Sequence, residues 1–243
     1  MSTSLRDCVA EFVDKPPGQI GVVMIHLQRA REREPLIEAL QKAIGTPLEV
    51  RKAADGAALI AGGHPTECGI DPGIQRTAGE VGCVVSHVEA ARDALAKGLS
   101  HLVVFEDDCA PATRFSLPGF REYLQRAKRF ASQFQMSRMD ELFLLSTCGC
   151  YKWHYLTRGV KVTNHFNGSH AYGMNRTMME KVVAFYDSLV AEGKTAPIDG
   201  ILPSILKEEG RWAFCPGDDT SHFHQNRAIP SYVVGDGSTL RKD

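Results

Sequence analysis

The chain has 243 residues, 43% of them hydrophobic and 23% charged, and a formal net charge of −1. This is the composition of an ordinary soluble globular protein, and the near-zero charge excludes a global field that would draw nucleic acid or a membrane surface. The seven cysteines are an odd number without a CxxC pair, which argues against a disulfide scaffold and for a reducing, cytoplasmic compartment.

Residues 1 to 18 read as a leader closed by Pro16-Pro17-Gly18, without an apolar run of signal-peptide length. A single domain over 19 to 215 and a C-terminal loop or tail over 216 to 243 complete the division. Ile20 to Leu27 is the first central strand. Leu36, Ile37, Leu40 and Ile44 then share one helical face, with Gly45 as the stop. Pro47 to Ala53 is a second strand, and Asp55-Gly56 is a turn signature. Residues 61 to 76 form a long structureless tract, which in a compact domain is usually functional.

The unit from Thr77 to Cys109 is the most complete in the chain. Thr77 and Glu80 have capping-box spacing, and Val84, Val88, Ala91 and Leu95 make one apolar face. Gly98 ends the helix. His101 to Phe105 is a short buried strand that runs into Glu106, Asp107 and Asp108. Three adjacent carboxylates repel one another, and burying them unpaired is costly. The carboxyl end of a core strand is where open α/β sheets bind ligands, and a divalent cation resolves the repulsion.

Further on, a helix is expected over about Pro118 to Phe134 and a strand over Glu141 to Ser146. A hairpin should turn at Thr157-Arg158-Gly159, and Ser169 to Met174 reads as a strand. Asn175 caps a helix to about Glu192, Pro197-Ile198-Asp199-Gly200 opens a short helix, and Arg211 to Cys215 is a strand. The alternation of strand and helix predicts an α/β protein with a mainly parallel central sheet flanked by helices, its second half mixed. No stretch reaches the roughly 20 apolar residues of a membrane span, which leaves peripheral membrane association open.

With these residues placed, the sequence resembles glycosyltransferase family 25, the lipooligosaccharide and procollagen galactosyltransferase group. The resemblance is carried by Ile25-His26-Leu27-Gln28-Arg29 through Arg33, by Ala53-Ala54-Asp55-Gly56, by Gly79-Glu80-Val81-Gly82-Cys83-Val84-Val85-Ser86-His87, and by Val103-Val104-Phe105-Glu106-Asp107-Asp108. Tyr172-Gly173-Met174 and Pro197-Ile198-Asp199 continue it. His26 and Gln28 stand where the family usually has Asn and Asp, and Ser231-Tyr232-Val233 replaces its Ser-Asp-Ile. The resemblance implies a GT-A type nucleotide-sugar transferase fold and inverting transfer of a sugar, galactose in the named groups. The donor would be a UDP-sugar and the acceptor a saccharide or glycoconjugate, as in lipopolysaccharide biosynthesis.

A nucleoside diphosphate leaves readily only when its charge is neutralised, which Mn²⁺ or Mg²⁺ does as a Lewis acid. Asp108 and Glu106, two apart in an extended backbone and so on one face, are the candidate ligands in a DxD-like motif. Asp107 either touches the sugar or braces the loop. His87 lies near the apolar helix face and reads as a support to the acidic loop. Ser86, His26 and Leu27 join the nucleotide-sugar set through the motifs. Arg29 and Arg33 share a helix face and could pair with a diphosphate, the alternative being a surface helix of alternating Arg and Glu. Asp55 either binds uracil or ribose or makes its turn. His224, with His222, could close the metal site from the tail or be solvated. Cys148-Gly149-Cys150 with His154 lacks zinc-finger spacing and is rejected as a zinc site. Asp199 is the candidate base, the alternative being a helix cap, with Asp218 and Asp219 next. A metal-dependent hydrolase using the same acids, and a non-catalytic nucleotide- or glycan-binding relative, are the rival functions.

Overall fold

The structure, a computed structural model, describes residues 3–133, 141–146, 152–157, 159–168, 170–217 and 222–226. In chain order the elements are α1 (Leu5–Val13), β1 (Ile20–His26), α2 (Glu34–Ile44), β2 (Glu49–Lys52), α3 (Gly56–Ala61), α4 (Ala78–Ala96), β3 (His101–Glu106) and β4 (Cys109–Pro111). There follow α5 (Leu117–Gln133), β5 (Leu142–Leu144), β6 (Lys152–Thr157), β7 (Val160–His165), β8 (Ala171–Asn175), α6 (Arg176–Ala191), α7 (Ile198–Glu208), β9 (Ala213–Pro216) and β10 (Phe223–Gln225). Asp218, Asp219, Cys148, Cys150 and Tyr232 lie outside the described residues.

An eight-stranded sheet in the order β2-β1-β3-β8-β5-β9-β7-β6 forms the centre. All of its strands but β8 and β7 run in one direction. The fold is thus the expected α/β architecture with a mainly parallel sheet flanked by helices. Alternation along the central strands divides the core in two, because successive side chains leave a strand on opposite faces. Val22 and Met24 of β1 and Val103 and Phe105 of β3 pack with α1, α2 and α5. Val23 and Ile25, with Leu102 and Val104, pack with α4, α6 and α7. Both faces being covered, these strands read as unbroken apolar runs.

The segment expected to be a leader is part of this core. Ser4 and Asp7 form a capping box that starts α1, and Leu5, Val9 and Phe12 are buried against the sheet. Asp55-Gly56 is a helix start rather than a bare turn: Asp55 Oδ1 accepts from the Ala57 and Ala58 amides at 3.0 and 3.2 Å and caps α3. The 61 to 76 tract is not structureless. Glu67 bridges Gln75, Cys68 bridges Thr195, and Arg76 donates to Glu80, Asp71 and Cys68.

The path of the chain fixes where a ligand can bind. From β1 it crosses through α2 on one face to β2, then returns through α4 on the other face to β3 on the far side of β1. The two crossovers leave a crevice outside the carboxyl ends of β1 and β3, the place where doubly wound sheets take ligands.

Candidate functional site

The crevice is a cavity lined by Leu27 and Arg29 after β1, by Ala53 to Ala57, by Ala78, Gly79, Gly82, Cys83, Ser86 and His87 of α4, and by Glu106, Asp107 and Asp108. It holds about 110 Å³, below the roughly 300–1,000 Å³ of a whole small-molecule pocket. A second, open groove of about 580 Å³ shares its Ala54–Asp55 wall and extends past Leu59, His64 and Pro65. The two together give a narrower end at the acids and a wider, more open end beyond Asp55.

Close backbone approach shapes the narrower end. A Cβ on Gly56 would lie 1.7 Å from the Ala78 carbonyl oxygen, and one on Gly82 would lie 2.7 Å from that of Ala54. Ser86 ties the same corner, its hydroxyl accepting from the Ala54 amide at 2.8 Å and donating to the Gly82 carbonyl at 2.6 Å. The glycines and serine of the α4 motif thus shape the wall by letting α3 and α4 touch.

The three acids point to three different segments. The strand ends at Glu106, and 107–108 form a turn, so the simple alternation expected over 106 to 108 does not hold. Glu106 faces α4, with Oε1 3.2 Å from His87 Nε2. His87 is fully buried, and its Nδ1 lies 2.8 Å from the Tyr172 hydroxyl. Asp107 faces β1. It accepts from the Leu27 amide at 2.9 Å, lies 2.9 Å from His26 Nδ1 and pairs with Arg33. Of its two expected roles, bracing the loop is the one these contacts supply. Arg33 is likewise buried against Asp107, not part of a solvated Arg–Glu surface, while Arg29 is exposed at the cavity edge.

Asp108 is the unusual acid. It is buried, Oδ2 accepts from Gln225 Nε2 at 2.9 Å, and Oδ1 has no partner among the described residues. Burial, together with the charge of Glu106, pushes its carboxyl up to about 6. A buried acceptor that lacks a donor and resists ionisation fits a cation: the positive charge would replace lost hydration and offset the repulsion between the two acids. Oxygen ligands of this kind suit Mn²⁺ or Mg²⁺.

The tail reaches this loop differently than expected. β10 pairs antiparallel with β4, and the Asn226 amide donates to the Asp108 carbonyl at 2.7 Å. The residue that touches the acid is Gln225, whereas the neighbouring His224 is exposed. His222 packs among Phe115, Phe120 and Tyr123, and burial pushes its imidazole down to about 4. That environment does not suit the hydrolytic role weighed for it. Gln225 carried no motif; only its place in a strand edge beside β4 identifies it.

Asp199 occupies the first turn of α7, but Pro197 is the N-cap, so Asp199 does not cap its own helix. Its Oδ2 accepts from the Gly168 amide at 3.1 Å and it is half-buried. Burial and the negative charges of Glu106, Asp199 and Asp108 raise the Cys83 thiol well above its ordinary value; Glu106 and Asp108 line the cavity with it, and Asp199 is not among the lining residues.

No family model matches the sequence, and no curated protein matches it. Among solved structures, an apo UDP-glucose pyrophosphorylase is similar over 87% of this chain and 77% of its own, with 9% sequence identity and a TM-score of 0.35. That score is too low to bear on activity, so the geometry of the site itself carries the functional reading. Among the described residues no helix is long and apolar enough to cross a membrane.

Proposed function

We propose that the chain is a metal-dependent, inverting glycosyltransferase of GT-A type that takes a UDP-sugar donor and a saccharide or glycoconjugate acceptor. The observation that carries this reading is Asp108: a buried carboxylate with one oxygen unpartnered among the described residues, beside Glu106, just past the carboxyl end of β3 and at the topological switch point. Asp108 and Glu106 would hold Mn²⁺ or Mg²⁺, which when bound supplies charge neutralisation to a leaving diphosphate.

The chain's own residues do the rest. Arg29 at the cavity edge offers a guanidinium to a phosphate, and the N-terminal turn of α4 presents its positive dipole end to the same anion. The open groove beside Asp55 has room for the nucleoside. Asp107, locked by Arg33 and His26, keeps the loop in register rather than contacting the sugar. Asp199 is the group proposed to take the acceptor hydroxyl's proton. The resemblance to family 25 supports the choice of UDP, galactose and lipopolysaccharide-type acceptors over other nucleotide sugars and glycans.

The test is incubation of the purified chain with Mn²⁺, a panel of UDP-sugars and a panel of saccharide acceptors. A new glycoside that forms only with acceptor and metal supports the proposal. Donor cleavage indifferent to acceptor supports a hydrolase. The absence of both turnover and metal-dependent stabilisation by UDP overturns the reading, since a ligand that binds only the folded state must raise its apparent stability.

A further inference from the structure

The cavity floor contains a second set of donor atoms with a different chemistry. Cys83 Sγ, a His87 ring nitrogen and a Glu106 carboxylate oxygen all lie within 4.8 Å of one another. Cys83 and His87 are four apart on α4 and so share a helix face. The His87 nitrogen that faces the other two is Nε2, because Nδ1 is engaged by the buried Tyr172 hydroxyl at 2.8 Å. A metal-binding histidine commonly has its other nitrogen anchored in this way, which fixes the ring and the tautomer.

We propose that Cys83, His87 and Glu106 form a Zn²⁺ site on the cavity floor, and that its occupation withdraws Glu106 from the oxygen-liganded cation at Asp108; the second clause rests on the transferase reading. One sulfur, one nitrogen and one oxygen are a borderline-soft donor set that suits zinc and disfavours Mn²⁺ or Mg²⁺. Zinc bonds of about 2.0–2.3 Å place tetrahedral ligand atoms roughly 3.3–3.6 Å apart, so the set closes with a movement on the order of 1 Å. Tyr172 Oη then accepts from Nδ1–H, Nε2 gives its lone pair to the metal, and the Cys83 thiol releases its proton to solvent. Three protein ligands leave the fourth position facing the cavity.

Metal-free full-length protein is titrated with Co²⁺, and thiolate-to-cobalt charge-transfer absorption is recorded. One equivalent should bind with that absorption, and Zn²⁺ should displace it. Cys83→Ser should abolish the absorption and weaken Zn²⁺ by more than the roughly 10–100-fold that loss of an outer partner costs. Absence of the absorption in the wild-type chain overturns the site whatever the variants do, and its persistence in Cys83→Ser assigns it to another thiol and also overturns it. Should Cys83→Ser not fold, Glu106→Gln is read instead, and unaltered Zn²⁺ affinity there overturns the shared ligand. Stoichiometric Zn²⁺ should also lower Mn²⁺-supported transfer at least tenfold; binding without that loss overturns the withdrawal of Glu106. The absorption needs no turnover, so a chain that binds Co²⁺ through Cys83 but neither transfers sugar nor is stabilised by UDP with metal refutes the transferase reading and leaves the site standing.

Discussion

The side-chain amide of Gln225 donates to Asp108 Oδ2 at 2.9 Å, so β10 orients the acid in the turn that follows the central strand β3. That bond favours the ionised carboxylate against burial and the charge of Glu106. Gln225→Ala removes it. A hydrogen bond to a charged group is worth about 1.5–3 kcal/mol, so Mn²⁺-dependent binding of UDP should weaken by roughly tenfold or more. Calorimetric titration of both proteins near neutral pH checks this. Equal affinities would mean that the metal does not depend on Asp108 being held by the tail.

Asp108 and His222 should impose opposite pH dependences on the metal-free protein. Asp108 is raised from 3.8 to about 6 in the folded state, so between these values the folded protein keeps a proton that the unfolded chain has lost. Its contribution to stability therefore falls as pH rises. His222 is lowered from 6.5 to about 4; there the unfolded chain holds the extra proton, and stability falls as pH drops. In the wild type the two slopes largely cancel near pH 5. Asp108→Asn should expose the His222 slope, with stability rising from about pH 4 to 6.5, and His222→Phe should expose the reverse. At neutral pH Asp108→Asn should also melt higher without metal, by about 2–4 °C for each kcal/mol relieved. Thermal melts in chelator across that range decide the matter, and parallel profiles for all three proteins would contradict it.

Arg33 and Arg29 should fail in different ways. The Arg33 and Asp107 side chains are each 6% exposed, and removing one partner of a buried pair commonly costs about 3–5 kcal/mol. Arg33→Ala should therefore show a large loss in urea unfolding. Arg29→Ala, at an exposed position on the cavity edge, should leave unfolding nearly unchanged and reduce UDP affinity. If Arg29→Ala destabilises and Arg33→Ala does not, the roles assigned to the two residues are reversed.

Local signals were legible in the sequence, and distant partners were not. The Thr77–Glu80 capping box, the Asn175 cap and the hairpin between β6 and β7 all appear where spacing and turn chemistry put them. So does the strand that delivers Glu106 to the cavity. The burial of Arg33 was not readable, because the carboxylate that justifies it is 74 residues away; its own neighbours, Glu32 and Glu34, described a surface. Gln225 was hidden for the same reason, 117 residues from Asp108. For α1 the signal was present: Ser4 and Asp7 have capping spacing, and Leu5, Val9 and Phe12 recur on one face. The Pro16-Pro17-Gly18 break set that helix apart from the domain, but three-dimensional packing does not.

The contact between α3 and α4 predicts a sharp intolerance to one methyl group. Gly56→Ala would place a Cβ 1.7 Å from a backbone oxygen, which cannot swing away as a side chain would. Overpacking of this kind typically costs about 1–3 kcal/mol and occasionally more. The same movement opens the Ala54–Asp55 wall, so UDP affinity should fall together with melting temperature. Gly18→Ala, with no atom within 4 Å of the added carbon, should be silent in both measurements. A silent Gly56→Ala would mean that the two helices are not held this closely.

The assignment of Asp199 as the base separates from a purely structural role by one substitution. Its Oδ2 accepts from the Gly168 amide at 3.1 Å, which ties the segment after β7 to the start of α7. Asparagine has the same size, and its carbonyl can accept from that amide, so Asp199→Asn keeps the tie but cannot take a proton. If the tie is all that Asp199 supplies, turnover, donor affinity and melting temperature should all stay near those of the wild type. If it is the base, turnover should fall by roughly a hundredfold or more, the usual scale for losing a general base, while Mn²⁺ and UDP still bind and the fold is unchanged. Asp199→Ala adds the structural half: it loses the tie as well, so its melting temperature should drop below that of the Asn variant. Turnover and donor affinity are measured side by side in the two variants. Near-normal turnover of Asp199→Asn would transfer the role to another carboxylate.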